Sequence, residues 1–247
     1  MATLDLTFTR RALPGPPPKL RADAAHVWRI DLGAPMAGRA NVLSADEMSR
    51  VLAFRHEGAR SSFQMARIAL RNILATYTGV APARLPIVID ARGKPQLDLP
   101  DAPLFNLSHS GGLALLAITR AGAVGVDVEL RRETPRFEDL AARFFARNES
   151  RALSAIPEAQ RLDAFFACWT RKEAFVKADG AGIANMLQDF EVSLAPDAPA
   201  RVLSVKGDAD AALNTTLHAF RPAEDAWGAL CVMAPDVTVS GYDFAAD

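Results

Sequence analysis

Cysteine is scarce in this 247-residue chain, with Cys168 and Cys231 the only two. Both stand among apolar neighbours without metal-ligand spacing, so they read as buried thiols suited to a reducing compartment. The formal net charge is −1, and no long basic run offsets that balance. A general nucleic-acid binder is therefore excluded, and any positive character must be local. No uninterrupted apolar stretch is long enough to span a bilayer, and the first residues lack a signal-peptide core, so a cytoplasmic protein with no membrane partner is expected. The chain has no nucleophile elbow, no Walker loop and no convincing Ser/His/Asp or Cys/His arrangement. His26, His56 and His218 show no ligand spacing and read as structural or exposed. No repeat is visible at the level of residues.

What is present is a chain with half of its residues hydrophobic, enough to bury a core in one large or two smaller domains. A proline-rich leader, Pro14 to Pro18, is expected to be extended. Periodicity predicts helices over 45–54, 59–78, 137–145, 149–155 and 163–178. It predicts strands over 26–32, 86–90, 113–119, 124–130, 190–194, 200–205, 215–221 and 226–233.

The chemistry concentrates in three segments. In Gly125-Val126-Asp127-Val128-Glu129 the two acids are two residues apart in a strand-like run, so both leave the same face. Two carboxylates about 4 Å apart repel by roughly 4 kcal/mol at an effective dielectric near 20, and a cation or a proton relieves this. Oxygen-only ligation favours magnesium over zinc. Taken alone, the pair reads more simply as solvated acids at a strand end. In Trp169-Thr170-Arg171-Lys172-Glu173-Ala174-Phe175-Val176-Lys177, a helix that closes at Gly180 and Gly182 places Glu173 and Lys177 on one face beside an aromatic stripe. An ordinary surface pair has the same spacing. The third segment comprises a turn, Arg92-Gly93-Lys94-Pro95, and a loop, Phe105-Asn106-Leu107-Ser108-His109-Ser110-Gly111-Gly112. That loop could hold an anion with its backbone N–H groups, the Ser108 hydroxyl and the His109 ring; it also reads as a turn device.

Taken together and in this order, these motifs resemble the Sfp-type 4′-phosphopantetheinyl transferases. The likeness extends to Leu43-Ser44-Ala45-Asp46-Glu47, to Arg60 through Arg71, to Arg143-Phe144-Phe145 with Glu149, and to Phe190-Glu191-Val192, covering most of the chain between Leu43 and Leu194. The resemblance implies a magnesium-dependent transfer of phosphopantetheine from coenzyme A to a serine hydroxyl of an apo acyl or peptidyl carrier protein, releasing adenosine 3′,5′-bisphosphate. It implies that Asp127, Glu129 and Glu173 hold magnesium, that Glu173 accepts the serine proton directly or through a metal-bound water, and that Lys177 contacts the pyrophosphate. Lys94, Ser108 and His109 would lie around the coenzyme A phosphates, and Arg60 and Arg50 at the nucleotide.

The implied fold is α/β (α+β), a fused dimer of two similar halves about a pseudo-twofold axis with coenzyme A in the cleft between them. The halves would be residues 1–122 and 123–247, in a monomer. The stretch Glu57 to Phe63 departs from the family in carrying a glycine and two serines where an acid and further arginines are usual. Ile183-Ala184-Asn185-Met186-Leu187 replaces the commoner Leu-Ser-x-Pro-Leu. Two other functions use the same residues: a magnesium-dependent phosphohydrolase, and a non-catalytic protein that binds coenzyme A or a carrier.

Overall fold

The computed structural model describes residues 6–13, 15, 18–34, 40–180, 187–194 and 199–246. Most of the proline-rich leader and residues 183–186 of the departing loop lie outside the described residues. The first half runs β1 (Phe8–Leu13), β2 (Ala24–Asp31), α1 (Ala45–Ala53), α2 (Glu57–Thr78), β3 (Ile87–Ile89), β4 (Pro95–Leu97), β5 (Leu104–Ser110) and β6 (Leu113–Thr119). After residues 120–123 come β7 (Val124–Leu130), α3 (Phe137–Phe144), α4 (Arg147–Ala155), α5 (Glu158–Asp179), β8 (Phe190–Val192), β9 (Val202–Val205), β10 (Thr216–Ala223), β11 (Ala226–Val232) and β12 (Thr238–Ala246). The fold is mixed α+β.

A five-stranded sheet has the order β1-β12-β2-β6-β5, and a three-stranded sheet has the order β10-β11-β7. Their inner faces share one apolar core, including Val27, Leu115, Ala117, Val126, Val128 and Leu230. The outer face of the larger sheet is covered by α2, through Trp28, Ile30, Leu70, Ile73 and Leu74. The outer face of the smaller sheet is covered by α5, through Phe165, Phe166 and Phe175 against Trp227 and Ala229. Alternation along β7 follows from this burial. Val124, Val126 and Val128 enter the core between the sheets, which turns Gly125, Asp127 and Glu129 toward α5.

Although no repeat is legible in the sequence, the structure contains one. Each half has the series strand, helices ending in a 22-residue helix, two-stranded hairpin, then two strands. The pairing order repeats too, β2-β6-β5 against β7-β11-β10. Both long helices end at a glycine in the left-handed region, Gly79 and Gly180. Both are tied to the preceding short helix by a buried ion pair. Glu47 accepts from Ser44 N and pairs with Arg71 at 2.5 Å; Glu149 accepts from Ala146 N and pairs with Lys172 at 2.7 Å. Arg71 and Lys172 lie equally far from their capping glycines. On that alignment Glu173 and Lys177 fall on Asn72 and Thr76, which only bond their own helix backbone. The repeat hides in the sequence because it fixes the burial and geometry of each position, not the residue that occupies it.

Four strands were not expected from periodicity: β1, β4, β5 and β12. The last, β12, runs parallel between β1 and β2, so the end of the chain completes the first sheet.

Candidate active site

The segment expected to be an anion-binding loop is a strand. Residues 104–110 form β5, with every residue in register against β6, and only Gly111 and Gly112 turn. An anion cradle of backbone N–H groups is therefore not built from 105–110; the side chains do the work instead. Period-two alternation sends Asn106, Ser108 and Ser110 to the inner side, where β5 lies edge to edge with β7. Asn106 Oδ1 accepts from Val126 N at 2.9 Å, and Ser110 Oγ accepts from Leu130 N at 3.2 Å. Two N–H groups of an edge strand are thus satisfied by side chains of the other sheet.

Between these two contacts the ionisable groups converge. Ser108 Oγ donates to Asp127 Oδ1 at 2.9 Å. Lys177 Nζ, from α5, donates to the same Asp127 oxygen at 2.6 Å and to Ser108 Oγ at 2.9 Å. The other carboxylate oxygen, Asp127 Oδ2, is buried without a hydrogen-bond partner. Ser110 Oγ donates to Glu129 Oε2 at 3.0 Å, and Arg132 approaches the same oxygen at 3.2 Å. Glu173 is buried and has no hydrogen bond to a described residue.

Burial pushes the Asp127 carboxyl up, and Lys177 and Ser108 only partly reverse this. Glu129 is pushed up by burial and then by the charge of Asp127. Glu173 is raised to about 7, first by burial, then by the charges of Asp127 and Glu129, with Lys177 opposing. Burial and the Lys177 charge push His109 down.

Among the described residues, no group of three or more His, Cys, Asp or Glu side chains is gathered tightly around one point. The donor set nonetheless suits a hard cation: all oxygen, with the Asp127 charge raising the carboxyls of Glu129 and Glu173, and one buried carboxylate oxygen of Asp127 left free. Asp127, Glu129 and Glu173 are the residues that would supply those oxygens.

The remaining expected residues divide. Lys94 Nζ donates to two carbonyls, Val124 O at 2.8 Å and Lys177 O at 2.7 Å. It also borders a cleft of about 470 Å³, whose lining includes Arg92 and Phe105 from the first half and Val124, Ala178 and Asp179 from the second. Arg60 binds Glu57 and the Phe54 carbonyl, and Arg50 lies over the Phe63 ring; neither bonds a residue of the carboxylate cluster. Asn106 and Ser110 join the site without a role that the sequence motifs assign them. The alternation of polar residues at 106, 108 and 110 was the available signal, and it becomes visible once the segment is read as a strand.

A family model described as the 4′-phosphopantetheinyl transferase superfamily matches residues 123–231, the stretch that carries Asp127, Glu129, Glu173 and Lys177. The 4′-phosphopantetheinyl transferase HetI of a Nostoc species is 41% identical over 197 residues, 77% of this chain and 83% of that protein. This chain belongs to the 4′-phosphopantetheinyl transferase superfamily. It is a 4′-phosphopantetheinyl transferase, and the Sfp-type resemblance is met by 27% identity to Sfp of Bacillus subtilis over 69% of this chain and 77% of that one. Among solved structures, the holo-[acyl-carrier-protein] synthase of Thermotoga maritima is 24% identical over 46% of this chain and 63% of that chain, with a TM-score of 0.36.

Proposed function

We propose that this phosphopantetheinyl transferase takes phosphopantetheine from coenzyme A and places it on a serine hydroxyl of an apo acyl or peptidyl carrier protein, with magnesium bound at Asp127, Glu129 and Glu173. The observation that carries the reading is the contact of Ser108, Asp127 and Lys177 at the seam of the two sheets, beside a carboxyl at Glu173 raised to about 7. On this reading coenzyme A lies in the cleft between the halves, 1–122 and 123–247. The nucleotide end is held on the first half, with Arg50 and Arg60 as its candidate partners.

The carrier serine Oγ attacks the β-phosphorus of coenzyme A, the bond to the bridging pyrophosphate oxygen breaks, and adenosine 3′,5′-bisphosphate leaves. Magnesium held by Asp127, Glu129 and Glu173 would supply positive charge against the charge that develops in transfer. Glu173, its carboxyl raised to about 7 by burial and by the neighbouring acids, takes the serine proton; a group poised near the working pH suits a general base. Lys177 offsets charge on the leaving phosphate, exchanging its bond to Asp127 for phosphate oxygens. Ser108 and His109, adjacent on β5 but on opposite faces, orient the phosphates from the first half. Positioning and charge stabilisation carry most of phosphoryl transfer, which suits a site without a nucleophile of its own.

The test is mass spectrometry of an apo carrier incubated with the protein, coenzyme A and magnesium. One phosphopantetheine group should be added at the carrier serine, and the addition should disappear when magnesium is chelated. Release of phosphate products without modification of the carrier would favour the hydrolase. Binding of coenzyme A without either reaction would favour the non-catalytic alternative.

A further inference from the structure

The last turn of a helix leaves four carbonyls without helical partners, and cations are favourable there. In α5 three of these carbonyls are occupied. Gly180 N donates to Val176 O at 2.9 Å, Lys94 Nζ to Lys177 O at 2.7 Å, and Arg92 Nη1 to Asp179 O at 3.1 Å. Two of these three donors come from the other half of the molecule, on the turn between β3 and β4. The Lys94 ammonium also reaches Val124 O, the first residue of β7. One side chain therefore ties together the strand that carries Asp127 and the helix that carries Lys177.

The turn is built to hold these cations in place. Asp90 Oδ1 accepts from both Arg92 N and Lys94 N, at 2.9 and 2.8 Å. Asp90 N donates to Lys94 O and Gly93 N to Asp90 O, each at 3.0 Å, with Gly93 at φ +82° where a side chain would be strained. The equivalent helix end in the first half, α2, has no basic residue in its last turn, and Thr78 bonds back to Leu74 O instead. Among the described residues this double-cation cap occurs only on the helix whose last turn bears Lys177.

We propose that Arg92 and Lys94 are positioning residues, which fix the last turn of α5 against β7 and so align Lys177 with Asp127 and the substrate pyrophosphate. The proposal rests on the transferase reading above. It differs from the role in gripping phosphate that the family resemblance implies for Lys94, because two of the three ammonium hydrogens are spent on carbonyls. A phosphate grip acts equally in ground and transition states, so its loss raises KM; misalignment of Lys177 falls on kcat.

The experiment compares Lys94→Met, Lys94→Arg and Arg92→Ala with the wild-type protein in steady-state transfer, and in hydrogen–deuterium exchange over residues 174–180. Lys94→Met should lower kcat by about 10- to 100-fold, the scale of a displacement near 1 Å, with KM for coenzyme A changed less than about threefold. Lys94→Arg, which keeps a cation able to reach the carbonyls, should recover part of kcat. Arg92→Ala, at an exposed position that does not threaten folding, should show a smaller loss of the same kind. Both removals should speed exchange at the Gly180 amide. A rise of more than about tenfold in KM with kcat unchanged would make Lys94 a phosphate ligand and overturn the proposal. Unaltered exchange at 174–180 in both removals would overturn it as well. Exchange is read without substrate, so failure of the wild-type protein to modify any carrier would sink the functional reading while the cap is still tested.

Discussion

Substituting alanine for Gly125 should separate the two elements on which the site depends. A β-carbon built there would lie 2.1 Å from Ala174 O, 2.4 Å from Ala178 N and 2.8 Å from the Lys177 carbonyl carbon, all backbone atoms of α5. Ordinary contact begins near 3.4 Å, so β7 and α5 must part by about 1.3 Å, the difference between 3.4 and 2.1 Å. Backbone on both sides leaves no side chain to swing away, which puts the cost at the upper end of the overpacking range, about 3 kcal/mol. At about 2–4 °C per kcal/mol for a chain of this size, the melting temperature should fall by roughly 6–12 °C.

The same displacement stretches the 2.6 Å contact between Lys177 and Asp127 beyond hydrogen-bond range. Transfer should slow by about 100-fold even at a temperature where the variant is folded. Gly58→Ala is the control, since a β-carbon there meets nothing within 4 Å and lies in the first turn of α2. It should be neutral or stabilise by up to about 1 kcal/mol. Thermal unfolding by circular dichroism and a carrier-modification assay read both variants. If Gly125→Ala melts and turns over like the wild type, the close approach of strand to helix is not what aligns the site.

Glu173→Gln should lose about 10²–10⁴-fold in kcat while keeping most of its affinity for coenzyme A, checked by single-turnover kinetics and calorimetry; near-normal turnover would exclude the base assignment. The same variant tests the pKa in metal-free protein. Because the folded pKa of about 7 lies above the ordinary value of 4.5, the folded state binds the extra proton, and the wild type loses stability as pH rises from 4.5 through 7. Glu173→Gln should therefore be the more stable protein at pH 8, by on the order of 3 kcal/mol, with the gap closing near pH 4.5 in thermal melts. Ser110→Ala removes the acceptor of Leu130 N and the donor to Glu129, and should cost about 1–2 kcal/mol in denaturant unfolding and raise the magnesium concentration needed for half-maximal rate. Lys172→Met should cost about 3–5 kcal/mol by leaving the buried Glu149 without its cation, and the double variant Glu149→Gln/Lys172→Met, which keeps an amide oxygen for the Ala146 and Val192 N–H groups, should recover part of that loss; equal stability of the single and double variants would contradict a buried ion pair.

Local periodicity made the five α-helices, most of the strands and the chemical inventory legible, though not β1, β4, β5 or β12. The alternation over 124–130 set which face of β7 carries Asp127 and Glu129, and the spacing of Glu173 and Lys177 put both on one side of a helix. Each of these depends only on a short-range period that burial imposes on one element. The motifs also carried the family, because their order and residue types survive without reference to three-dimensional distance. Strand β5 was not legible, since the polar residues at 106, 108 and 110 look like a loop until a second sheet edge is there to receive them. The free oxygen of Asp127, the elevated carboxyl of Glu173 and the carbonyl cap made by Lys94 were likewise decided by the tertiary structure. Each arises from groups separated by dozens of residues in the chain, and desolvation and charge repulsion exist only once folding has brought those groups together and removed the water between them.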